Sequence, residues 1–435
     1  MKPVAIIGGG IAGLTAAYEL SKNGWPVEVF EKNQELGGQA GTFVLGGARL
    51  ERFYHHIFTN DRHIIALIEE LGLSSLLQWR EPATAMFWQG KTFPFASPLD
   101  LLRFEPLGFL QRIRLGIVAL FLMRYNNWRR LESVTAEQWV RRWAGSAVYE
   151  TIWGPLLRGK FGSSAGQVSM TWLWGKIHLR GSSRGKSMQR ERLGYLDGSF
   201  QVLVDELRAR IEQSGGAVRT GVPVERLVTD GDQIIGVQIA GQVEPFERVV
   251  ATVPSFAFLR MVPNLDDAYA ARLRNVNYQA AVCLVLEMDH SLSPIYWLNI
   301  ADRRLPFVGV IEHTNFIPMD IYHGSRVLYI TNYLSASDSF YSMSKEELIQ
   351  HYLPYLHHIN PAFNPGWVRQ AWLFRDDAGQ PIFTTNFSQQ VPDYRTPIKG
   401  LYLANTTQIY PEDRGMNYSV RLGEKVSRIV MADVQ

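Results

Sequence analysis

One cysteine, Cys283, stands among 435 residues. The chain therefore has no internal disulfide and no cysteine-built metal cluster, which suits a reducing compartment. Charged residues make up only 20%, and they nearly cancel at a formal net +3. With no basic recognition helix either, a nucleic-acid reading has no anchor. No apolar run approaches the roughly 18 residues of a membrane-spanning helix. Metalloprotease HExxH, P-loop and nucleophile-elbow motifs are also missing, so hydrolase and nucleotide-triphosphatase chemistry find no footing. A strand-like run begins at Val4 with no basic-then-apolar leader before it, and the expectation is a cytoplasmic protein.

What is present is an ordinary globular composition, 46% hydrophobic, long enough for two or more domains. Val4 to Ile7 reads as a buried strand that runs into Gly8-Gly9-Gly10-Ile11-Ala12-Gly13 and then a small-residue helix to Leu20. In this frame Gly8 allows a tight turn, Gly10 lets backbone approach a pyrophosphate and Gly13 lets helix pack on strand. The helix start, at Ile11 and Ala12, offers unpaired N–H groups to phosphate oxygens. A second strand, Val27 to Phe30, ends in Glu31 and Lys32 at the distance expected of a dinucleotide fold. Glu31 would accept hydrogen bonds from ribose hydroxyls and repel a 2′-phosphate, leaving FAD or NAD as the dinucleotide.

A second glycine turn follows at Leu36-Gly37-Gly38-Gln39-Ala40-Gly41. Here the sequence resembles the FAD-dependent superfamily of amine oxidases, protoporphyrinogen oxidases and phytoene desaturases. The resemblance implies an α/β fold: a discontinuous Rossmann-like (GR2-type) FAD-binding domain with a mixed-sheet and helical substrate domain. It also implies FAD rather than NAD, with Gly37, Gly38, Gln39 and Ala40 along the pyrophosphate and ribityl chain. The expected division is FAD-binding segments 1–85, 195–255 and 385–435, a helical region 86–194, and a sheet-containing substrate region 256–384.

Later segments extend the resemblance. Gln201 to Ser214 reads as a helix, followed by strands at Val218 to Thr220, Val222 to Thr229, Ile234 to Ile239 and Val249 to Val253. In the superfamily the position of Val224 holds the adenine through its backbone. Near the C-terminus, the strand Gly400 to Asn405 precedes Tyr410-Pro411-Glu412-Asp413-Arg414-Gly415-Met416-Asn417-Tyr418, which opens a helix. The resemblance places Asn405 by the ribityl chain and the Met416 and Asn417 backbone at the N1 and C2 carbonyl edge of the flavin. A helix start there offers N–H donors to the charge that reduction places on that edge.

The chemistry implied is hydride transfer from a substrate carbon to flavin N5, which obliges no particular acid or base. Amine oxidases of the superfamily carry a lysine near N5 on the strand that here reads Tyr278 to Leu284; its absence in this chain argues against amine oxidation. No cysteine lies in the C-terminal motif, so the FAD is expected to be non-covalent, with a histidyl link through His55 or His56 left open. Candidate catalytic side chains are His55, His56, His313 and Tyr418. Other polar groups in apolar strands are Glu312-His313-Thr314-Asn315, Asn332-Tyr333 and Gln380-Pro381-Ile382.

Gly46 to His56 reads as a hairpin, and Asp61 as the N-cap of a helix to Leu71. Pro98 to Leu131 is the most apolar stretch, flanked by Arg103, Arg112, Arg114, Arg124, Arg129 and Arg130. This is the pattern of a helix lying in a membrane interface or of an internal helical subdomain. Trp139, Trp143, Trp153, Trp172 and Trp174 are expected in the core. From Arg158 to Arg192 eight basic residues face one acid, Glu191, and Gly181 to Ser187 has the composition of a solvated loop. The basic stretch reads either as that loop or as an anion-facing surface.

Together these features favour an oxidoreductase acting on a largely apolar small molecule, with peripheral contact at the inner face of a membrane. No sequence feature names its electron acceptor. The segment Tyr54 to Asn60 also resembles the His-Ile-Phe-His-Thr-Asn stretch of UDP-galactopyranose mutases with one residue missing, so a UDP-sugar ring mutase is the alternative.

Overall fold

The computed structural model describes residues 2–183 and 191–433. Val4–Ile7 is fully buried at the centre of a five-stranded parallel sheet. Its neighbours are Val27–Glu31 and Arg248–Ala251, with Ala217–Thr220 and Leu401–Leu403 at the two edges. A strand covered on both faces needs no polar alternation, which is why Val-Ala-Ile-Ile serves here. Three stretches distant in sequence thus form one sheet. The helices Ile11–Lys22 and Met416–Ala432 pack against each other. Gly423 makes this contact possible, because a Cβ there would lie 2.6 Å from the Ala12 carbonyl oxygen and from the Thr15 Cβ.

A seven-stranded mixed sheet forms the second layer, in the order Val368–Pro381, Tyr278–Met288, Arg326–Leu334, Gly309–Glu312, Trp297–Ile300, Thr84–Trp88 and Lys91–Pro94. Alternation along Tyr278–Met288 divides its side chains. Val282, Leu284 and Leu286 pack with Leu348, Tyr352 and Leu356 of the helix Lys345–Leu356. Cys283 and Val285 face the other way, into a core shared with Leu14, Leu50 and Leu203. The hairpin at 84–94 belongs to this sheet, so the expected boundary at residue 85 cuts through a strand.

Helices Pro98–Leu102, Phe109–Arg124, Ala136–Trp143, Gly154–Phe161 and Met170–Ser183 surround a third core containing Trp172 and Trp174. Trp143 departs from expectation by being 52% exposed. The last helix carries Gly181 to Ser183, expected in a loop, while residues 184–190 of the basic stretch lie outside the described residues. Among the described residues no helix is long and apolar enough to cross a membrane.

Two local expectations are corrected. The hairpin pairs Thr42–Leu45 with Ala48–Glu51, because Gly46 and Gly47 both take positive φ and form the turn itself. Asp61 does not cap its helix; its carboxylate accepts from the Phe58 N–H at 2.8 Å. The cap of Arg62–Glu70 is instead Asn417, whose Oδ1 accepts from the N–H groups of His63 and Ile64 at 2.9 and 3.2 Å. A carbonyl oxygen satisfies the orphan donors as well from a distant segment as from the next residue.

Candidate cofactor and substrate site

The two glycine turns are laced together. Gly37 donates its N–H to the Gly9 carbonyl at 2.8 Å, and Gly10 pairs with Gly37 as an isolated parallel bridge. Gly8 has φ +110°, and a Cβ on Gly13 would fall 2.0 Å from the Gly8 carbonyl oxygen, so turn and helix can meet only through glycine. At Gly10 the nearest atom to such a Cβ is the Gly38 Cα, at 3.8 Å. The backbone there is open to an approaching group, and the N–H groups that begin Ile11–Lys22 have no intrahelical acceptor. These features fit a dinucleotide pyrophosphate.

Glu31 stands behind the turn, 6% exposed, its Oε2 accepting from the Gly9 N–H at 2.8 Å and its Oε1 from the Asn33 N–H at 2.9 Å. Lys32 beside it is exposed. The Gly221 and Val222 N–H groups bond to the Asn33 and Glu31 carbonyls at 2.8 and 2.9 Å. They bring the irregular segment before Arg226–Asp230, which contains Val224, next to the carboxylate. The strand expected from Val222 starts only at Arg226 because these bonds hold Gly221 and Val222 away from its partner strand.

At the other end, Asn405 is buried and its side chain is committed to the turn it caps. Oδ1 accepts from the Thr407 N–H and hydroxyl at 3.1 and 2.6 Å, and Nδ2 donates to the Val253 carbonyl at 3.2 Å. The helix Met416–Ala432 begins with the Tyr418 and Ser419 N–H groups bonded to the Gly415 carbonyl. Its first donors, on Met416 and Asn417, have no acceptor within the helix.

Between the glycine turns and the mixed sheet lies Arg414. Its Nη1 donates to Gln39 Oε1 and its Nη2 to the Tyr333 hydroxyl, both at 3.0 Å. Gln39 in turn donates to the Ala378 carbonyl at 3.0 Å. Burial opposes the Arg414 charge, yet Tyr333, Asp413 and Asp376 raise its pKa above the ordinary guanidinium value. Asp413 is buried, accepts from the Trp172 indole at 3.0 Å and from Lys160 at 2.7 Å, and is also paired with Lys176. Burial alone would raise its carboxyl, but the two ammonium groups override it and hold it far below the usual range. The Lys160 ammonium also lies 5.6 Å from the Tyr333 ring centre.

The candidate histidines divide. His55 donates from Nδ1 to the Phe53 carbonyl, and burial together with the nearby Arg414 lowers its pKa to about 4, so it is neutral at pH 7. His56 shares a 3.0 Å hydrogen bond with the Tyr296 hydroxyl and packs against Phe58 and Trp297. His313 is sealed among Tyr195, Tyr322 and Tyr329, its Nε2 engaged with the Tyr322 hydroxyl at 2.9 Å. Burial lowers its pKa to about 3. Burial raises the Tyr418 phenol, whose ring lies 4.7 Å from the Arg421 guanidinium. Among the other polar candidates, Tyr333 faces the glycine turns, whereas Asn332 turns the opposite way to the Pro306 carbonyl and Tyr352.

Sequence reasoning quoted Asp413 and Arg414 within a motif, and Lys160 and Lys176 within a basic stretch, without joining them. Adjacent opposite charges between Pro411 and Gly415 were a signal; nothing local linked them to lysines some 250 positions earlier, as in the Lys160–Asp413 separation of 253. Glu51 gave no signal. It is fully buried, accepting from the Tyr195 hydroxyl at 2.7 Å and the Phe200 N–H at 2.8 Å.

A dinucleotide cradle laid against a mixed sheet, with polar groups between, defines a two-layer flavoenzyme of the Rossmann type. The family model for flavin containing amine oxidoreductases matches residues 11–430, and the chain belongs to that family. It is an FAD-dependent oxidoreductase. The probable zeta-carotene desaturase of Synechococcus elongatus is 23% identical over 93% of each chain. The chloroplastic protoporphyrinogen oxidase of Nicotiana tabacum is 30% identical over 79% of this chain and 69% of its own. In fold the chain is similar to a reduced UDP-galactopyranose mutase, with a TM-score of 0.77 at 14% identity over 99% of this chain and 96% of the mutase.

Proposed function

We propose that the protein oxidises or desaturates a largely apolar or amphiphilic molecule of isoprenoid, lipid or tetrapyrrole kind, held between the Tyr333 face of the mixed sheet and the cofactor cradle. One observation carries this reading. Arg414 bonds at once to the second glycine turn and to the sheet, so a group lying on the cradle also lies against that sheet face. When bound, FAD supplies a two-electron acceptor for a substrate hydride.

The chain's own residues do the rest. The turns at Gly8, Gly10, Gly37 and Gly38 and the N–H groups of Ile11, Ala12 and Gly13 would hold the pyrophosphate; Glu31 would take the ribose and the Val224 backbone the adenine. Met416 and Asn417 would direct N–H donors to the cofactor edge where reduction places negative charge. The FAD would be held without a covalent bond. His55, neutral and fixed by the Phe53 carbonyl, stands near Arg414 without adding charge. The substrate's second hydrogen leaves as a proton. Incubation of the holoprotein with fractionated lipids tests this directly, the expected product being lighter than its precursor by two hydrogens.

The helix Phe109–Arg124 supports an apolar route to the site. It buries only Leu115 and Leu122, while Phe109, Leu110, Ile117, Leu120 and Phe121 are at least half exposed. Arg114 ties it to Ala136–Trp143 by bonds to the Arg142 and Trp143 carbonyls. So large an apolar face ringed by arginine is what a peripheral membrane contact requires. A second reading, the UDP-sugar mutase, draws on the basic cluster at Arg414, Lys160 and Lys176, and isomerisation of a UDP-sugar by chemically reduced protein would establish it.

A further inference from the structure

Away from the glycine turns, a cavity of about 140 Å3 opens where three segments meet: the hairpin ending at Glu51, the turn after the strand Leu193–Leu196, and the chain beyond Glu312. Its walls are chiefly apolar and include Ala48, Ile317, Ile321 and the rings of Tyr195 and Tyr322. None of these is a residue assigned to the cofactor. Both tyrosines are pinned in place. The Tyr195 hydroxyl donates to Glu51 at 2.7 Å, the Tyr322 hydroxyl bonds to His313 at 2.9 Å, and both side chains are buried. Neither ring can swing into the space beside it without breaking a buried bond, so the cavity is held open in an interior that otherwise packs closely.

The rest of the wall has the same effect. Position 48 carries only a methyl group, and the turn Asp197-Gly198-Ser199 closes one side with φ +90° at Gly198 and φ +72° at Ser199. A left-handed serine is strained and persists because its surroundings fix it. Here the Ser199 N–H bonds to the Leu196 carbonyl at 2.9 Å, and its hydroxyl accepts from the Gln201 N–H at 3.2 Å. Ile321, 39% exposed, stands at the opening. Size then limits the occupant. A cavity of about 150 Å3 admits benzene, whereas pockets for larger ligands begin at roughly 300 Å3. An aromatic ring would also find neighbours of its own kind, since Tyr195 and Tyr322 both lie edge-on to His313, with ring centres 5.5 and 5.6 Å apart.

We propose that this cavity is a binding site for a small neutral molecule with a single aromatic ring. The inference stands apart from the oxidoreductase reading and survives its failure. Arg49, paired with Glu35, and the exposed Asp197 bring both signs of charge to the lining, so apolar contact with the ring, not a charged head, sets the affinity. A bound ring touches all three segments and ties the hairpin more firmly to the mixed sheet, where Tyr329 already donates to the Glu51 carbonyl at 2.8 Å. Its binding therefore raises the melting temperature.

The probes are benzyl alcohol and 2-naphthylmethanol, added to the holoprotein and followed by saturation-transfer NMR with thermal melts alongside. Expected for benzyl alcohol is a dissociation constant on the order of 0.1–1 mM, and for the two-ring probe one at least about tenfold higher because its second ring does not fit. Ala48→Leu extends a side chain into the space, so affinity for benzyl alcohol falls at least about tenfold while the flavin absorbance is unchanged. Ile321→Ala, at a partly exposed position and so gentle on the fold, widens the opening and brings the one-ring to two-ring ratio toward one. A parent protein that does not bind benzyl alcohol overturns the proposal. Equal binding by the parent and Ala48→Leu overturns it as well, because the ring then sits elsewhere. Should Ala48→Leu fail to fold, an unchanged ratio in Ile321→Ala has the same force.

Discussion

The Arg414 guanidinium and the Tyr333 hydroxyl meet at 3.0 Å, joining the segment before the C-terminal helix to the mixed sheet. The same guanidinium reaches Gln39 at 3.0 Å, so one side chain sets the gap between the second glycine turn and the sheet. A buried, charge-assisted pair of bonds of this kind fixes distance better than apolar packing, which tolerates sliding.

The two glycines of the first turn should fail in different ways. A Cβ at Gly10 meets only the Gly38 Cα at 3.8 Å, an ordinary contact, whereas at Gly13 it collides with the Gly8 carbonyl at 2.0 Å. Gly10→Val is expected to fold with a melting temperature within about 2 °C of the FAD-stripped parent yet to purify without flavin colour. Gly13→Ala is expected to lose about 1–3 kcal/mol of stability from overpacking. Thermal melts alongside flavin absorbance separate the two, and a yellow Gly10→Val protein would remove Gly10 from the cofactor site.

Glu51 should make stability fall as pH rises. Burial lifts its pKa from 4.5 to about 7. Below pH 4.5 both folded and unfolded chains hold the proton; between 4.5 and 7 the unfolded chain releases it while the folded one keeps it. Stability therefore drops across that window by about 3 kcal/mol and is level above it with respect to this group. Glu51→Gln lacks the drop. Urea unfolding of both proteins at pH 5 and pH 7.5 gives the comparison, and parallel losses in the two would show that Glu51 is not the cause.

The nucleotide half of the fold was legible because its signals are local. Val4–Ile7, the glycine turn, the helix and Glu31 follow within 31 residues, each fixed by its neighbours. The mixed sheet was legible as separate apolar strands, but their order was not, since pairing such as Thr84–Trp88 with Trp297–Ile300 joins segments some two hundred residues apart. Caps proved equally non-local: Asp61 looked like the N-cap by position, yet Asn417 does the work from the C-terminal helix. The Lys160–Asp413 pair shows the same limit for the candidate site. Lys160 stands in a basic stretch and Asp413 in a motif near the C-terminus, and only the fold brings the two together.

Membrane contact should follow the exposed face of Phe109–Arg124. Leu110 is 79% exposed and Ile117 63%. The protein is expected to float with vesicles containing anionic lipid, and Leu110→Glu with Ile117→Glu to leave it at the bottom of the gradient with its flavin intact. Each buried apolar side chain contributes about 1.5–3 kcal/mol, so two charges are enough to abolish a weak interfacial hold. Parent protein that stays unbound would assign this face to another role.

The visible absorbance of the purified holoprotein, followed anaerobically while fractionated lipids and UDP-sugars are added in separate cuvettes, tests the central claim most directly. The account predicts that a lipid fraction bleaches the oxidised flavin band and is itself recovered two hydrogens poorer. If no lipid bleaches it, and chemically reduced protein instead converts a UDP-sugar to its ring isomer, the account is contradicted and the cradle serves a mutase.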